Sequence, residues 1–125
     1  MALAVGLGHE RRDPRQHRSY LLMTRRTWSI VAGADVLVHE ALYVPGIDRL
    51  VAGVPNATSL KKSIMSHHTS VEDAGRVAQA AGVKTLVLSH LVPAEDPAVT
   101  DQMWIDAARA HFGGRIIVGK DLLEI

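Results

Sequence analysis

Three pairs of polar residues in this chain have the types and settings to do chemistry. His39-Glu40 closes a run of apolar residues, His67-His68 stands directly before a helix start, and Ser89-His90 closes a second apolar run. The chain has no cysteine, so thiolate sites and disulfides are excluded, and a bound metal would have to use His, Asp or Glu. Imidazoles from separate loops can assemble a zinc site of that kind, with neutral nitrogens about 2.0–2.1 Å from the ion. A histidine beside a carboxylate can also move a proton near neutral pH. Each pair has a plainer reading as well. His39 can be a packed histidine at a strand end, His67 and His68 a solvated approach to a helix, and His90 a polar loop residue. A protonated imidazole at a helix start is opposed by the helix dipole, which favours the neutral form there.

The elements around these residues follow from apolar periodicity. "ADVLVHEA" is a continuous apolar run and predicts a buried strand with its polar pair at the C-terminal end. "VKTLVLSHL" predicts a second strand ending at His90, and "RIIVG" a third. "DLLEI" predicts a short terminal strand. Between them, "LYVPGIDRLVAGVPNA" carries two prolines and two glycines and reads as a loop with one short helix over Ile47 to Ala52. "TSLKKSIMSH" predicts a helix with Leu60 and Ile64 on one face. Ser70 and Asp73 form a capping box, Val71, Ala74, Ala78 and Ala81 form an apolar stripe, and Gly82 suits the helix end. Thr100 is placed to cap a helix from Asp101 to about Phe112. Strand, helix, strand, helix, strand implies an α/β layer with a partly parallel sheet, whose strand C-termini are the usual place for a ligand.

Composition sets the outer limits. With 125 residues, 47% hydrophobic and 22% charged, the chain has the size and balance of one soluble globular domain. No apolar run approaches the length of about 20 residues that a bilayer crossing needs, so no membrane partner and a cytoplasmic location are expected. The net charge of +1 conceals an asymmetry. Residues 1–30 hold six arginines against two acids, a balance of +4. Residues 31–125 hold eight basic residues against eleven acids, a balance of −3. "HERRDPRQHR" has no apolar face and a central Pro14. Residues 1–30 are therefore expected to be a basic, weakly structured arm, with "SYLLMT" a short strand inside it, and residues 31–125 the folded part.

Three stretches then carry a likeness. "GADVLVHEALY" resembles the His-Glu-Ala loop of ribonuclease Z and its neighbours in the metallo-β-lactamase superfamily. "HTSVEDAGRVAQAAGVKTLVLSHL" resembles that family's His-Ser/Thr loop, the helix after it and the strand ending in Ser/Thr-His. "MWIDAARAHFGGRIIVGKDLLEI" is similar to its C-terminal helix and final strands. The likeness runs from about Gly33 to Ile125. It implies the C-terminal part of an αββα sandwich: one mixed sheet with flanking helices, incomplete as a fold. It also implies a hydrolase that uses two zinc ions. His90 then matches the last zinc ligand. His68 matches the loop histidine that protonates the leaving oxygen, Glu40 the glutamate that orients it, and His39 and His67 are neighbours of the site. The substrates implied are phosphodiesters, as in RNA, or sulfate or carboxylic esters, with "HEALY" and "SHLVPAEDP" leaning towards the broader ribonuclease Z and arylsulfatase-like hydrolases.

The chain also departs from the pattern. The family's His-x-His-x-Asp-His motif does not occur in the 125 residues. "LLMTRRTWSIVAG" stands without an acid where a bridging aspartate is usual, and Leu42 replaces the usual threonine of the first loop. One transferable ligand falls short of the three that catalytic zinc uses. These departures predict a fragment of a longer metallohydrolase, or a truncated or frameshifted product. Zinc should bind weakly or not at all, turnover by the isolated chain should be absent, and the uncovered sheet should promote self-association or homo-oligomers. The alternative from another class is a non-enzymatic α/β binding module whose basic arm contacts nucleic acid or a protein partner.

Overall fold

The computed structural model describes residues 2–5 and 31–124. Four strands form one mixed sheet in the order β1 (Ala2–Val5), β2 (Val36–Leu42), β3 (Thr85–Val92), β4 (Arg115–Val118). β1 runs antiparallel to β2, whereas β2, β3 and β4 are mutually parallel. The return from β2 to β3 carries three helices, α1 (Val44–Val51), α2 (Ala57–His67) and α3 (Val71–Ala81); that from β3 to β4 carries α4 (Asp101–Arg109). The expected mixed sheet with flanking helices is present. Of the basic arm expected over residues 1–30, residues 2–5 are a sheet strand. The rest, including the strand expected at "SYLLMT", lies outside the described residues.

Alternation along the strands separates two faces. Leu37, Leu86 and Ile116 stand in one row across the sheet. They join Val71, Ala74, Val77, Ala78 and Ala81 of α3, Trp104 and Ala108 of α4, and Phe112 in the main core. Gly75 lets α3 and α4 approach closely, since a Cβ there would lie 2.7 Å from the Ala108 carbonyl oxygen. The opposite face carries the row Val38, Val87, Ile117, of which Val38 and Ile117 are only half-buried.

α3 forms as its capping residues predict. The Asp73 N–H donates to Ser70 Oγ at 3.1 Å, satisfying one of the free amides of the first turn. Gly82 ends the helix at φ 68°, the left-handed conformation that glycine adopts without cost. α1 starts three residues before the expected Ile47, because Pro45 is tolerated in a first turn where its missing N–H is not needed. α4 ends at Arg109 rather than near Phe112, and Thr100 occupies the cap position without a side-chain cap bond. The terminal strand expected at "DLLEI" does not form over 121–124. The Leu123 N–H turns back to the Lys120 carbonyl at 3.1 Å, and Leu122 has φ 61°, which breaks the extended backbone that a strand needs. Among the described residues, no helix is long and apolar enough to cross a membrane.

Candidate metal centre at the strand ends

Parallel pairing puts the C-terminal ends of β2 and β3 side by side. The ladder pairs Glu40 with Ser89 and then Ala41 with Leu91. His90 is therefore an extra residue on β3, and its φ is 43°. A bulge of this kind bends the strand and re-aims a side chain, and such bulges gather beside active sites. The left-handed conformation costs a non-glycine residue roughly 1–2 kcal/mol. It is held here at the point where the imidazole meets Glu40.

His68 arrives from the other side. It caps the C-terminus of α2 with extended backbone. The next residue, Thr69, accepts the Leu42 N–H at 2.8 Å, and Ser70 forms a bridge with Leu42. These backbone contacts tie the His68 loop to the end of β2. The capping bond of Ser70 then fixes where the loop turns into α3. Sequence reading placed His68 before a helix but had no signal for this tie, which runs between residues far apart in the chain.

The side chains converge on one oxygen. His68 Nδ1–H donates to Glu40 Oε2 at 2.9 Å, and His90 Nδ1 lies 3.5 Å from the same oxygen. The two imidazole centroids are 5.3 Å apart and tilted by 47°. The Glu40 side chain is 3% exposed, that of His68 22% and that of His90 68%. The site thus has a buried carboxylate, a half-buried imidazole and one open to solvent. Burial alone would raise the Glu40 carboxyl, but the His68 hydrogen bond and neighbouring positive charge outweigh it and hold the group below the usual glutamate value. One ligating atom each from Glu40, His68 and His90 lie within 4.8 Å of one another. Two imidazoles and a carboxylate are a donor set that catalytic zinc uses, so these residues fit a divalent ion.

The two remaining histidines of the sequence reading lie outside this cluster. His39 is buried, and its Nδ1–H donates to the Glu40 carbonyl at 2.7 Å. Burial pushes its pKa down, which keeps it a neutral, packed residue. His67 is exposed at the end of α2, with its Nδ1–H donating to the Ser63 carbonyl at 2.7 Å. Beyond His90 an open groove of about 740 Å³ runs along Leu91, Val92, Pro93 and Ala98 to Leu50. Arg49 and Asp96 pair across it at 2.8 Å. Neither was visible as a site residue in the sequence, because they are 47 positions apart and only the fold joins them.

No protein-family model matches the chain. Ribonuclease Z of Mycobacterium tuberculosis (strain ATCC 25618 / H37Rv) is 41% identical over 96 residues, which cover 77% of this chain and 33% of that protein. The metallo-β-lactamase fold protein YhfI of Bacillus subtilis matches with a TM-score of 0.51 and 21% identity, over 78% of this chain and 33% of its own. The chain belongs to the metallo-β-lactamase superfamily. Ribonuclease Z of Mycobacterium marinum is a further relative, 39% identical over 77% of this chain and 32% of its own. The chain spans about a third of the length of these curated ribonuclease Z relatives. Within the superfamily likeness, β2, β3 and the loop between α2 and α3 bring Glu40, His68 and His90 to one edge.

Proposed function

We propose that this chain contributes to a metal-dependent hydrolase of phosphodiester bonds and supplies its proton-donating pair and one metal ligand. The observation that carries this reading is the 2.9 Å bond between His68 and the buried Glu40 carboxylate, with His90 Nδ1 3.5 Å from the same oxygen. The ribonuclease Z relatives make a phosphodiester the first choice of substrate. Glu40 fixes His68 with its hydrogen on Nδ1 and orients the ring. The imidazolium's outer nitrogen then has a proton to give to a departing oxygen. His90, exposed and adjacent, would supply one ligand to the metal, with zinc an ion that imidazole ligands suit. When bound, such an ion supplies Lewis-acid stabilisation and an activated water.

The sequence lacks the His-x-His-x-Asp-His motif and the bridging aspartate, so the chain alone is not expected to turn over. The test is complementation. The chain is mixed with the part of Mycobacterium tuberculosis ribonuclease Z that lies outside the 96 matched residues, with Zn²⁺ present, and hydrolysis of bis(p-nitrophenyl) phosphate is followed. The reading predicts activity in the mixture and its loss with His68→Ala. A mixture active to the same degree with His68→Ala would remove His68 from the chemistry. A mixture that never gains activity would favour the binding-module alternative.

One observation supports a second substrate class. The groove beside His90 is mostly apolar, and Arg49 within it is already paired with Asp96. That lining suits the organic part of a sulfate or carboxylic ester better than a polyanion. Comparing p-nitrophenyl acetate with the phosphodiester in the same mixture separates the two.

A further inference from the structure

We infer that the groove between α1 and residues 91–98 selects the substrate by charge. It holds an uncharged apolar arm of the ester, aryl or alkyl, and turns away an anionic chain such as RNA. The inference rests on the hydrolase reading above and narrows its substrate; a phosphodiester with an aryl or alkyl arm stays within it. Leu50 and Glu95 become specificity residues that take no part in the chemistry.

The groove has walls that are tied together. The Tyr43 N–H donates to the Val92 carbonyl at 2.9 Å, which joins the start of α1 to the end of β3. Gly46, in the first turn of α1, lies so close to Pro93 that a Cβ there would stand 2.8 Å from the proline ring. Further along α1, Arg49 donates to Asp96 Oδ2 from Nε at 3.3 Å and from Nη2 at 2.8 Å. The other Asp96 oxygen accepts the Ala98 N–H at 2.9 Å. These contacts set the spacing of the two walls around the 740 Å³ groove, and His90 lines it as well. A volume of that order is usual for a small organic ligand. A substrate held at the strand ends therefore has this groove within reach of its organic arm.

The lining decides what can lie there. Leu91, Val92 and Pro93 are only half-buried along the groove, and Leu50 beside them is 53% exposed. Apolar carbon open to water gains from a ligand that covers it. A phosphate chain needs cations instead, because its affinity comes largely from Lys and Arg contacts. Arg49 is the only Lys or Arg of the lining, and Asp96 already neutralises it. Glu95 also lines the groove and is exposed. Among the described residues it has no ion-pair partner. With His90 neutral, one arginine against two carboxylates leaves the lining at −1. An anion there meets net repulsion, and an uncharged ring meets none.

The experiment compares 2-naphthol with 6-hydroxy-2-naphthoate, which share a ring system and differ by one carboxylate. Their binding to the full chain is measured by equilibrium dialysis near neutral pH and read by their fluorescence. The inference predicts that 2-naphthol binds about 5-fold tighter, the size of effect that one like charge has in a partly exposed site. Glu95→Lys turns the lining from −1 to +1 and should erase or reverse that preference. Asp106→Lys makes the same charge change outside the groove and should leave it intact. Leu50→Glu should weaken 2-naphthol by about 5-fold or more. All three positions are exposed, so the variants should fold, and circular dichroism checks this. Equal binding of the two probes, tighter binding of the carboxylate or no saturable binding of 2-naphthol overturns the inference. So does a preference that Glu95→Lys leaves intact or that Asp106→Lys changes as much. Binding of 2-naphthol that Leu50→Glu leaves unchanged overturns it too, by placing the probe on another apolar face. Probe selectivity without hydrolysis in the complementation assay removes the hydrolase reading and leaves the groove as a binding site for neutral apolar groups. Hydrolysis without selectivity removes this inference alone.

Discussion

His90 offers a perturbation whose sign follows from its backbone. At an ordinary strand position, glycine is less stable than alanine by about 0.5–1 kcal/mol, because glycine loses more conformational freedom on folding. At φ 43° the order should reverse. A residue with a Cβ gives up roughly 1–2 kcal/mol in the left-handed region, and glycine does not. Subtracting glycine's entropic disadvantage leaves His90→Gly more stable than His90→Ala by about 0.5–1 kcal/mol. Packing does not confound the comparison, since the His90 side chain is 68% exposed. Both variants also lose the same 3.5 Å approach to Glu40, so that loss cancels from the comparison. Urea unfolding of the two variants, with equal slopes, should place the glycine midpoint higher by about 0.3–1 M for slopes of about 1–2 kcal/mol/M. Alanine equal to or above glycine would mean that the bulge at His90 does not hold the left-handed backbone in solution. The account of how His90 reaches Glu40 would then be wrong.

Three further outcomes are expected. Trp104→Ala, which empties a 3% exposed site in ring contact with Tyr43 at 5.5 Å, should cost about 3–5 kcal/mol by urea unfolding; a loss below 1 kcal/mol would show that α4 is not packed on the sheet as described. Asp96 is held below its ordinary value of 3.8, first by the Ala98 N–H and then by Arg49. Because the folded value is the lower one, its contribution is complete above pH 4 and is lost as pH falls through the folded value. Asp96→Asn should therefore be less stable than the parent near pH 6, with the gap in thermal melts narrowing as pH falls below the ordinary value, and a gap absent near pH 6 would contradict the Arg49–Asp96 link. Light scattering of the purified chain should show self-association, since Leu50, Val54, Leu60 and Met65 are exposed and the Val38–Ile117 face is half open; a monodisperse 13.5 kDa monomer would count against it.

What the sequence made legible was what local physics determines. Continuous apolar runs announced β2, β3 and β4, and the Ser70 cap, the alanine stripe and Gly82 announced α3. The polar pairs at strand ends drew attention to Glu40, His68 and His90, and pairing β2 with β3 in parallel brings them together. The bulge was not legible, because whether His90 pairs or protrudes depends on a register between strands about 50 residues apart. β1 was missed for a similar reason. Four residues carry almost no periodicity, and their strand exists through pairing with β2. The terminal strand failed in the opposite sense: "DLLEI" is apolar enough for a strand, but the turn at Lys120–Leu123 takes it out of line with the sheet. Residue pattern alone did not separate His67 from His68, and only the family likeness pointed to His68. One bonds its own helix and the other crosses to Glu40, a difference that appears only when the loop is tied to Leu42.

The central claim is that His68, held by the buried Glu40 carboxylate at 2.9 Å with His90 beside it, donates the proton in a hydrolytic site at the end of the sheet. Hydrolysis of bis(p-nitrophenyl) phosphate by the complemented mixture, compared between the parent chain and His68→Ala, tests it most directly. The account predicts turnover in the parent mixture and its loss with His68→Ala. Equal turnover by the two mixtures would contradict it.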